Sequence, residues 1–163
     1  MTFYLAQNTN MIGFEDPYYI VDINKFRPLK RIGFGSFSSV YKVKEIETGQ
    51  IYAAKESREE LIENTDEFLQ YMRQISVLSR MSHPCIIKFY GYSKTNFNNE
   101  HRPVFITEYM TNGSLDYVIK NESLSLATLE WTLTKKLINI YGIAKGMKFL
   151  HSKKNFTQRF ETK

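Results

Sequence analysis

The sequence has few of the features that mark secreted, disulfide-stabilised or membrane-spanning proteins. It contains one cysteine among 163 residues, Cys85, so no disulfide can form within the chain, which suits a reducing compartment. Its apolar runs fall far short of the roughly 20 residues that span a membrane as a helix. Residues 1–16 lack the basic start and the continuous apolar core of a secretory signal. We therefore expect a cytoplasmic protein without a membrane partner.

The charge of the sequence is mild and gives little support to a nucleic-acid partner. Lys and Arg number 22 against 17 Asp and Glu, a formal net charge of +5, and the two signs alternate along the chain. No basic stripe with interleaved aromatic residues is present, so we expect no nucleic acid. With 42% hydrophobic residues, among them twelve Phe and eleven Tyr, the composition is that of one globular domain with a substantial core.

Apolar spacing and turn residues predict an α+β fold. The segment 47–50 is a hairpin turn signal between two strands, and Thr65 is a candidate N-cap for a helix with apolar residues at helical spacing. In chain order, the sequence predicts strands at 26–32, 39–45 and 51–56, a helix ended by His83-Pro84, strands at 86–92 and 104–109, and helices at 114–120 and about 129–151. This order of elements indicates an antiparallel sheet.

The most informative feature is a glycine-rich turn followed by a lysine. Ile32 to Val40 reads Ile-Gly-Phe-Gly-Ser-Phe-Ser-Ser-Val, and Lys55 lies on a predicted strand downstream. Glycines at 33 and 35 let backbone N–H groups approach a phosphate closely, and a lysine on a later strand reaches the same phosphates. A hairpin whose glycines only satisfy turn geometry is the alternative. Because the turn joins two strands, it is neither the dinucleotide fingerprint nor the Walker-type loop, both of which open a helix.

The order of these elements resembles the small lobe of a eukaryotic protein kinase domain, and the resemblance covers about residues 26–163. Tyr52 to Lys55 match the Val-Ala-Ile-Lys pattern of that family at its alanine and lysine. Further segments resemble the junction from helix to strand (81–87), the hinge strand (105–110), the hinge exit (112–115) and the first long helix of the large lobe (142–152). The hinge and helix sequences are most similar to those of tyrosine-kinase-like serine/threonine kinases.

The resemblance implies both a domain organisation and a function. We expect a poorly ordered N-terminal arm at 1–22, a small lobe at about 23–109 with a five-stranded antiparallel sheet and one helix, a hinge at 107–113, and the start of a large lobe at 114–152 with two helices. The implied activity is phosphoryl transfer from ATP, with magnesium, to protein hydroxyl groups. ATP and a protein substrate are then the expected partners.

The resemblance assigns the phosphates of ATP to the glycine turn and the lysine. The residues that would cover the phosphates are Gly33, Phe34, Gly35 and Ser36. Lys55 would hold the α- and β-phosphates, as the strand lysine of the family does. An ordinary exposed strand lysine is the alternative for Lys55, and its spacing from the glycine turn argues against that alternative.

The adenine of ATP is assigned in the same way to apolar residues and to the hinge. The side chains that would enclose the adenine ring are Ile32, Val40 and Ala53, with Thr107 as the gatekeeper. Backbone groups of Glu108 and Met110 would form hydrogen bonds with the adenine edge. All these roles are implied by position in the family pattern.

Two positions depart from the family pattern. Ser38 stands in place of the third glycine of the turn, which is a mild change. Gln74, nine positions before His83, stands where the family has the helix glutamate that pairs with the lysine. A neutral amide still accepts a hydrogen bond from Lys55, but charge-assisted bonds contribute about 1.5–3 kcal/mol against about 0.5–1.5 kcal/mol for neutral ones. Gln74 indicates either a pseudokinase-like site or a tolerated variant in a working enzyme.

The catalytic segments of the family do not occur in these 163 residues. The His-Arg-Asp and Asp-Phe-Gly sequences, which carry the catalytic base and the magnesium ligands, are missing, so we expect the chain as written to be inactive. Three functions stay open: the ATP-binding part of a serine/threonine kinase, a pseudokinase-like module that binds a nucleotide or a partner, and a non-functional remnant. Recovery of the downstream reading frame separates the first from the other two, and a nucleotide-induced shift in melting temperature that is lost in Lys55→Met separates the second from the third.

The last nine residues, 155–163, suggest why those segments are missing. Codons for Asn-Phe-Thr-Gln-Arg-Phe-Glu-Thr-Lys, read one nucleotide later, permit Ile-Leu-His-Arg-Asp-Leu-Lys-Pro, which contains the catalytic-loop signature. The codons for Lys153, Lys154 and Asn155 can be a run of adenines, where one extra base is easily introduced. We hypothesise that residues 155–163 are out of frame, and sequencing the transcript across these codons distinguishes an inserted base from a genuine end of the frame.

Overall fold

The computed structural model describes residues 19–62, 65–124 and 131–153, which form two compact units. The first unit contains the described residues up to Ser82 together with Ile87–Tyr109. The second contains His83–Ile86 and the described residues from Met110 onward. The four-residue segment 83–86 therefore interrupts the first unit in sequence, and the chain passes from the first unit to the second after Tyr109.

Five strands, three α-helices and a short 3-10 helix (Ile23–Lys25) make up the regular structure of the described residues. The strands and α-helices are numbered in chain order. They are β1 (Phe26–Phe34), β2 (Ser38–Glu45), β3 (Ile51–Ser57), α1 (Asp66–Ser79), β4 (Phe89–Ser93), β5 (Val104–Glu108), α2 (Leu115–Ser123) and α3 (Leu133–Ser152). The strands form one antiparallel sheet in the order β1-β2-β3-β5-β4. This confirms the predicted α+β class, with a five-stranded antiparallel sheet and one helix before the last strand pair.

A hairpin and a helix cap explain how the chain is arranged between β2 and β4. The hairpin from β2 to β3 closes through Glu45 N, which donates to Gln50 O at 2.9 Å, and Gly49 adopts φ 76°, where glycine is favoured. Helix α1 begins at its predicted N-cap, because Thr65 Oγ1 accepts a hydrogen bond from Phe68 N. The chain then enters β4 at the sheet edge, and β5 pairs with both β4 and β3.

Two predicted boundaries around residue 83 were wrong. Helix α1 ends at Ser79, with Arg80 as its C-cap, and not at the His83-Pro84 dipeptide. Strand β4 begins at Phe89 and not at 86. The apolar residues at 86 and 87 imitate a strand in sequence, but Ile86 N donates to His83 O at 2.9 Å. This local hydrogen bond closes a turn and takes the donor that a ladder would need.

Apolar side chains form two clusters, one on each face of the sheet. One cluster contains Ile23, Phe26, Val43, Ala54, Val104 and Ile106. The other contains Tyr71, Met72, Ile75, Tyr92 and Phe105. Within β5, Val104 and Ile106 belong to the first cluster and Phe105 to the second, because alternate residues of a strand point to opposite faces. Helix α1 is therefore held against the face that carries Phe105.

The described part of the expected N-terminal arm is attached to the first unit. Val21 N donates to Tyr92 O at 2.8 Å, and Tyr19 Oη donates to Ser79 O, at the end of α1, at 3.2 Å. A Cβ on Gly91 would lie 2.4 Å from the Val21 side chain, so only glycine leaves room for this segment over β4. Residues 1–18 of the expected arm lie outside the described residues.

In the second unit, both helices begin at a hydroxyl N-cap. Ser114 caps α2, and Thr132 caps α3, so α3 starts at Leu133 rather than at the predicted 129, which itself lies outside the described residues. Glu122 of α2 accepts hydrogen bonds from Lys136 of α3 and from the indole of Trp131. The Lys136 contact lowers the pKa of the Glu122 carboxyl below its ordinary value. These polar contacts join the two helices.

Helix α3 packs through a small residue and leaves many apolar side chains exposed. Gly146 is buried, and a Cβ there would lie 3.2 Å from the carbonyl oxygen of Cys85. Leu133, Leu137 and Ile140 are each more than half exposed. None of the helices among the described residues combines the length and the apolarity that crossing a membrane requires.

Candidate functional site

The glycine-rich turn connects β1 to β2 as a tight hairpin. Phe34 ends β1, Gly35 and Ser36 lie in the turn, and Gly35 N donates to the carbonyl of Ser38, the first residue of β2, at 2.9 Å. A Cβ on Gly33 would lie 3.3 Å from the Cβ of the residue opposite in β2, which is a crowded contact. The structure confirms that the turn joins two strands. Its bare backbone meets the requirement for close approach of a phosphate.

The sheet register places the predicted lysine and the predicted adenine residues on one face. Residues directly opposite each other in an antiparallel pair share a face, as do residues two apart in a strand. Lys55 of β3 pairs with Val40 of β2 and with Phe105 of β5, and Ala53 pairs with Thr107. Val40, Ala53, Lys55 and Thr107 therefore line the face of the sheet that also carries helix α1.

The structure brings the side chains of Lys55 and Gln74 together. Lys55 Nζ donates to Gln74 Oε1 at 2.9 Å and lies 5.4 Å from the centroid of the Phe105 ring. Ile75, the next residue of α1, is buried, and it fixes the helix that presents Gln74. Burial lowers the pKa of the Lys55 ammonium below its ordinary value. Lys55 is thus a half-buried cation held by an amide and an aromatic face.

Tyr71 is a supporting residue that the sequence did not reveal. Its hydroxyl lies 2.9 Å from the carbonyl oxygen of Lys55 and 2.8 Å from that of Pro103, so one proton serves two acceptors. Burial raises the pKa of the Tyr71 hydroxyl well above its ordinary value, which keeps the hydroxyl a neutral donor. Through its bond to the Lys55 carbonyl oxygen, Tyr71 joins α1 to β3 at the position of the lysine. Gln74 follows Tyr71 by about one turn of the same helix.

Of the remaining predicted residues, Ile32 and Glu108 belong to strands β1 and β5 of the first unit. Ile32 sits at an irregularity of the β1–β2 register and is 44% exposed. Glu108 ends β5; its N–H donates to Lys88 O at 2.9 Å, and its carbonyl accepts from Thr107 Oγ1 at 3.3 Å. A ligand bond at Glu108 therefore falls to the second lone pair of its carbonyl. Met110 is 51% exposed and belongs to the second unit.

The described residues offer groups that bind the phosphates of a nucleotide, and they contain no cluster of three metal-ligating side chains. The turn offers a bare backbone and Lys55 offers a cation, which are the two kinds of group that bind phosphate. Across residues 19–62, 65–124 and 131–153, no three His, Cys, Asp or Glu side chains are grouped closely enough to hold a metal. The magnesium that the family resemblance implies thus finds no ligand set in this part of the chain.

Comparison with known proteins agrees with the geometry. The family model described as the protein kinase domain matches residues 26–158. The chain is 32% identical to the leucine-rich repeat receptor protein kinase EMS1 of Arabidopsis thaliana over 87% of its own length. It is 32% identical to the human serine/threonine-protein kinase TNNI3K over 78% of its length, and 29% identical to the probable serine/threonine-protein kinase PBL10 of Arabidopsis thaliana over 91%.

The chain spans only part of each of these relatives. The matched region covers 12% of EMS1, 14% of TNNI3K and 36% of PBL10. The family model itself covers residues 26–158, which is most of this chain and includes the turn, Lys55 and Gln74. The similarity therefore concerns only the matched region of each relative and not the rest of its length.

Proposed function

The chain belongs to the protein kinase family, and from that premise we propose that it forms the ATP-binding part of a serine/threonine kinase. The observation that carries this proposal is the sheet face that presents Lys55 with Val40, Ala53 and Thr107, next to the glycine turn. The names of TNNI3K and PBL10 support serine and threonine as the acceptor residues. For the whole protein we propose phosphoryl transfer from ATP to a protein hydroxyl.

Each group on this face has a physical role in binding ATP. The Lys55 ammonium and the backbone N–H groups of the turn other than that of Gly35, which donates to Ser38 O, bind phosphate oxygens, since such charge-assisted hydrogen bonds are about twice as strong as neutral ones. Val40 and Ala53 offer apolar surface to the purine, and the small Ala53 leaves room for the ring. Thr107, buried in the sheet, limits how far a ligand penetrates past Ala53.

For this 163-residue chain by itself we propose binding without phosphoryl transfer. The sequence contains neither a His-Arg-Asp nor an Asp-Phe-Gly segment, and in-line transfer needs an aspartate at the attacking hydroxyl and ligands for the metal. The described residues carry no metal-ligand cluster. ATP turnover by this chain at a rate abolished by Lys55→Met would contradict this part of the proposal.

ATP is expected to stabilise the chain against heat without a requirement for magnesium. At ATP a hundredfold above its Kd, the stabilisation is about 2.7 kcal/mol, because the ligand binds only the folded state. Differential scanning fluorimetry with ATP, adenosine and inorganic triphosphate measures it, each with magnesium and with EDTA. Stabilisation by ATP in both buffers supports the proposal, whereas equal melting temperatures with and without ATP at millimolar concentration would refute it.

Gln74→Glu is expected to extend ATP binding to higher pH. ATP requires the protonated lysine, and in the wild type the lowered pKa of Lys55 makes affinity fall as pH rises, below the ordinary lysine value of 10.5. A carboxylate in place of the Gln74 amide favours the ammonium and raises the pKa of Lys55. The pH at which half of the ATP affinity is lost then moves upward, as isothermal titration between neutral and alkaline pH measures.

The matched control for this variant is Gln70→Glu, which adds the same charge to an exposed position of the same helix. Its pH profile is expected to follow the wild type. The stability of the wild type also depends on pH through Lys55. Because the pKa of Lys55 is lower in the folded chain, the unfolded chain binds more protons at pH values between the folded and the unfolded pKa. The free energy of unfolding therefore rises with pH in that range. A profile of Gln74→Glu that coincides with that of Gln70→Glu would show that Gln74 does not control Lys55 in solution.

A further inference from the structure

Arg58 contacts the glycine turn through both its backbone and its side chain. It is the first residue after β3, three positions beyond Lys55. Its N–H donates to Phe37 O at 3.1 Å, and its Nη1 lies 3.2 Å from Ser36 O and 3.4 Å from Gly35 O. One residue therefore engages the carbonyl groups of all three residues between β1 and β2.

The Arg58 guanidinium also packs on the aromatic residue that precedes the turn. Its Cζ lies 4.5 Å from the centroid of the Phe34 ring, and the Cζ of Arg31 lies 5.1 Å from the same centroid. Two guanidinium groups thus lie over one ring, which is still 64% exposed with both in place. Both side-chain hydrogen bonds come from Nη1, and lysine lacks the planar guanidinium that lets this donor reach the turn while the group lies over Phe34.

We propose that Arg58 is a positioning residue for triphosphate binding, which clamps the glycine turn to the end of the strand that carries Lys55. The inference rests on the proposed function, because it assumes that phosphates bind to the turn. A glycine turn loses more conformational entropy than other sequences when a ligand orders it. The contacts of Arg58 order the turn before the ligand arrives, so the phosphates bind to a backbone that is already in place.

In this proposal the side chain acts through the turn. The donors that Arg58 uses in the structure, Nη1 and the backbone N, bind the carbonyl groups of Gly35, Ser36 and Phe37. We therefore expect substitutions of Arg58 to change the affinity only for ligands that carry phosphates. If Arg58 had no role in ordering the turn, its substitution would change the affinities for adenosine and ATP equally, or change neither.

The variants Arg58→Lys and Arg58→Met test this inference. Arg58→Lys keeps the charge and loses the planar fork, and Arg58→Met keeps the aliphatic stem alone. We expect both variants to weaken ATP binding about tenfold, measured by isothermal titration without magnesium, and to leave the adenosine affinity unchanged. The matched controls Arg27→Lys and Arg27→Met, at an exposed position of β1, are expected to keep both affinities.

A second measurement, made without nucleotide, tests whether Arg58 orders the glycine turn. Hydrogen exchange of the turn amides, above all the Gly35 amide that donates to Ser38 O, is expected to be about tenfold faster in both Arg58 variants than in the wild type. Unchanged exchange would overturn the clamp even if ATP binds. Faster exchange in the variants, with no ATP binding by the wild type, would instead confirm the clamp and refute the proposed function. Full ATP affinity in Arg58→Lys would assign the effect to charge and overturn the positioning role.

Discussion

Lys55→Met is expected to lower the affinity for ATP about a hundredfold and to remove the ATP-dependent rise in melting temperature. A hundredfold loss corresponds to about 2.7 kcal/mol, which lies within the contribution of one charge-assisted hydrogen bond. Lys55 Nζ is the cation on the sheet face that the glycine turn adjoins, and its present partner Gln74 is neutral. No carboxylate competes with the phosphates for this ammonium through that contact, so the phosphates gain its full charge.

The loss in Lys55→Met is not expected to come from unfolding. Methionine retains an unbranched apolar stem beside the Phe105 ring, and the lowered pKa of Lys55 shows that its half-buried position disfavours the charge. Removing that charge therefore leaves the free energy of unfolding nearly constant, or raises it. Urea denaturation of the variant without ligand checks this directly.

The control for this prediction is Lys44→Met, at an exposed position of β2. It removes the same charge from the same sheet and is expected to keep the ATP-dependent stabilisation. ATP binding that survives in Lys55→Met but falls in Lys44→Met would mean that the nucleotide binds elsewhere on the sheet. Equal affinities in the wild type and both variants would show that neither ammonium contacts phosphate.

The parts of the site that follow from local pattern could be predicted from the sequence. The glycine turn, the β3 strand and the helix cap at Thr65 each depend on residues within a few positions, so the sequence carries them directly. The pairing of Lys55 with Gln74 followed from the family pattern, and the structure places the two side chains in a 2.9 Å hydrogen bond. The roles of the adenine residues are predictions still, because they concern a ligand.

The supporting contacts could not be predicted, since they join polar groups that are distant in sequence. Tyr71 lies at an apolar position of α1, and its spacing indicates a buried ring but not which carbonyl groups its hydroxyl meets. Arg58 follows a strand in a polar stretch, where the usual expectation is a solvated side chain. Only the hairpin geometry brings the carbonyl groups of the turn to its guanidinium.

Asn96, in the loop between β4 and β5, makes another set of contacts that could not be predicted from the sequence. Its side chain is one of the largest that is fully buried, at 1% exposure. Its Nδ2 donates to Glu56 Oε1 and to Glu100 Oε2, both at 2.8 Å, and its Oδ1 accepts from the N–H groups of Asn98 and Glu100. One amide thus satisfies four groups and joins the loop to β3 at Glu56, the neighbour of Lys55.

Asn96→Asp is expected to destabilise the first unit by about 3–5 kcal/mol at neutral pH. The two residues have nearly the same shape, so the change creates no cavity, and the acceptor bonds to Asn98 N and Glu100 N remain. The donor group, however, becomes a buried carboxylate that faces the partly exposed carboxylates of Glu56 and Glu100. Two charge-assisted hydrogen bonds are lost, and a charge is left in a buried position beside two like charges, which together account for this magnitude.

The pH dependence of that loss identifies its cause. Acidification protonates the carboxyl introduced at position 96, which restores a donor and removes the repulsion, so the difference from the wild type is expected to shrink as pH falls from 7 toward 4. Asn98→Asp adds the same charge to an exposed position of the same loop and is expected to change stability by less than about 0.5 kcal/mol. Urea denaturation at several pH values compares the three chains. A deficit of Asn96→Asp that stays constant with pH would assign it to altered packing, whereas a deficit that vanishes in acid would establish that the amide donor of Asn96 holds two carboxylates together and anchors the strand that carries Lys55.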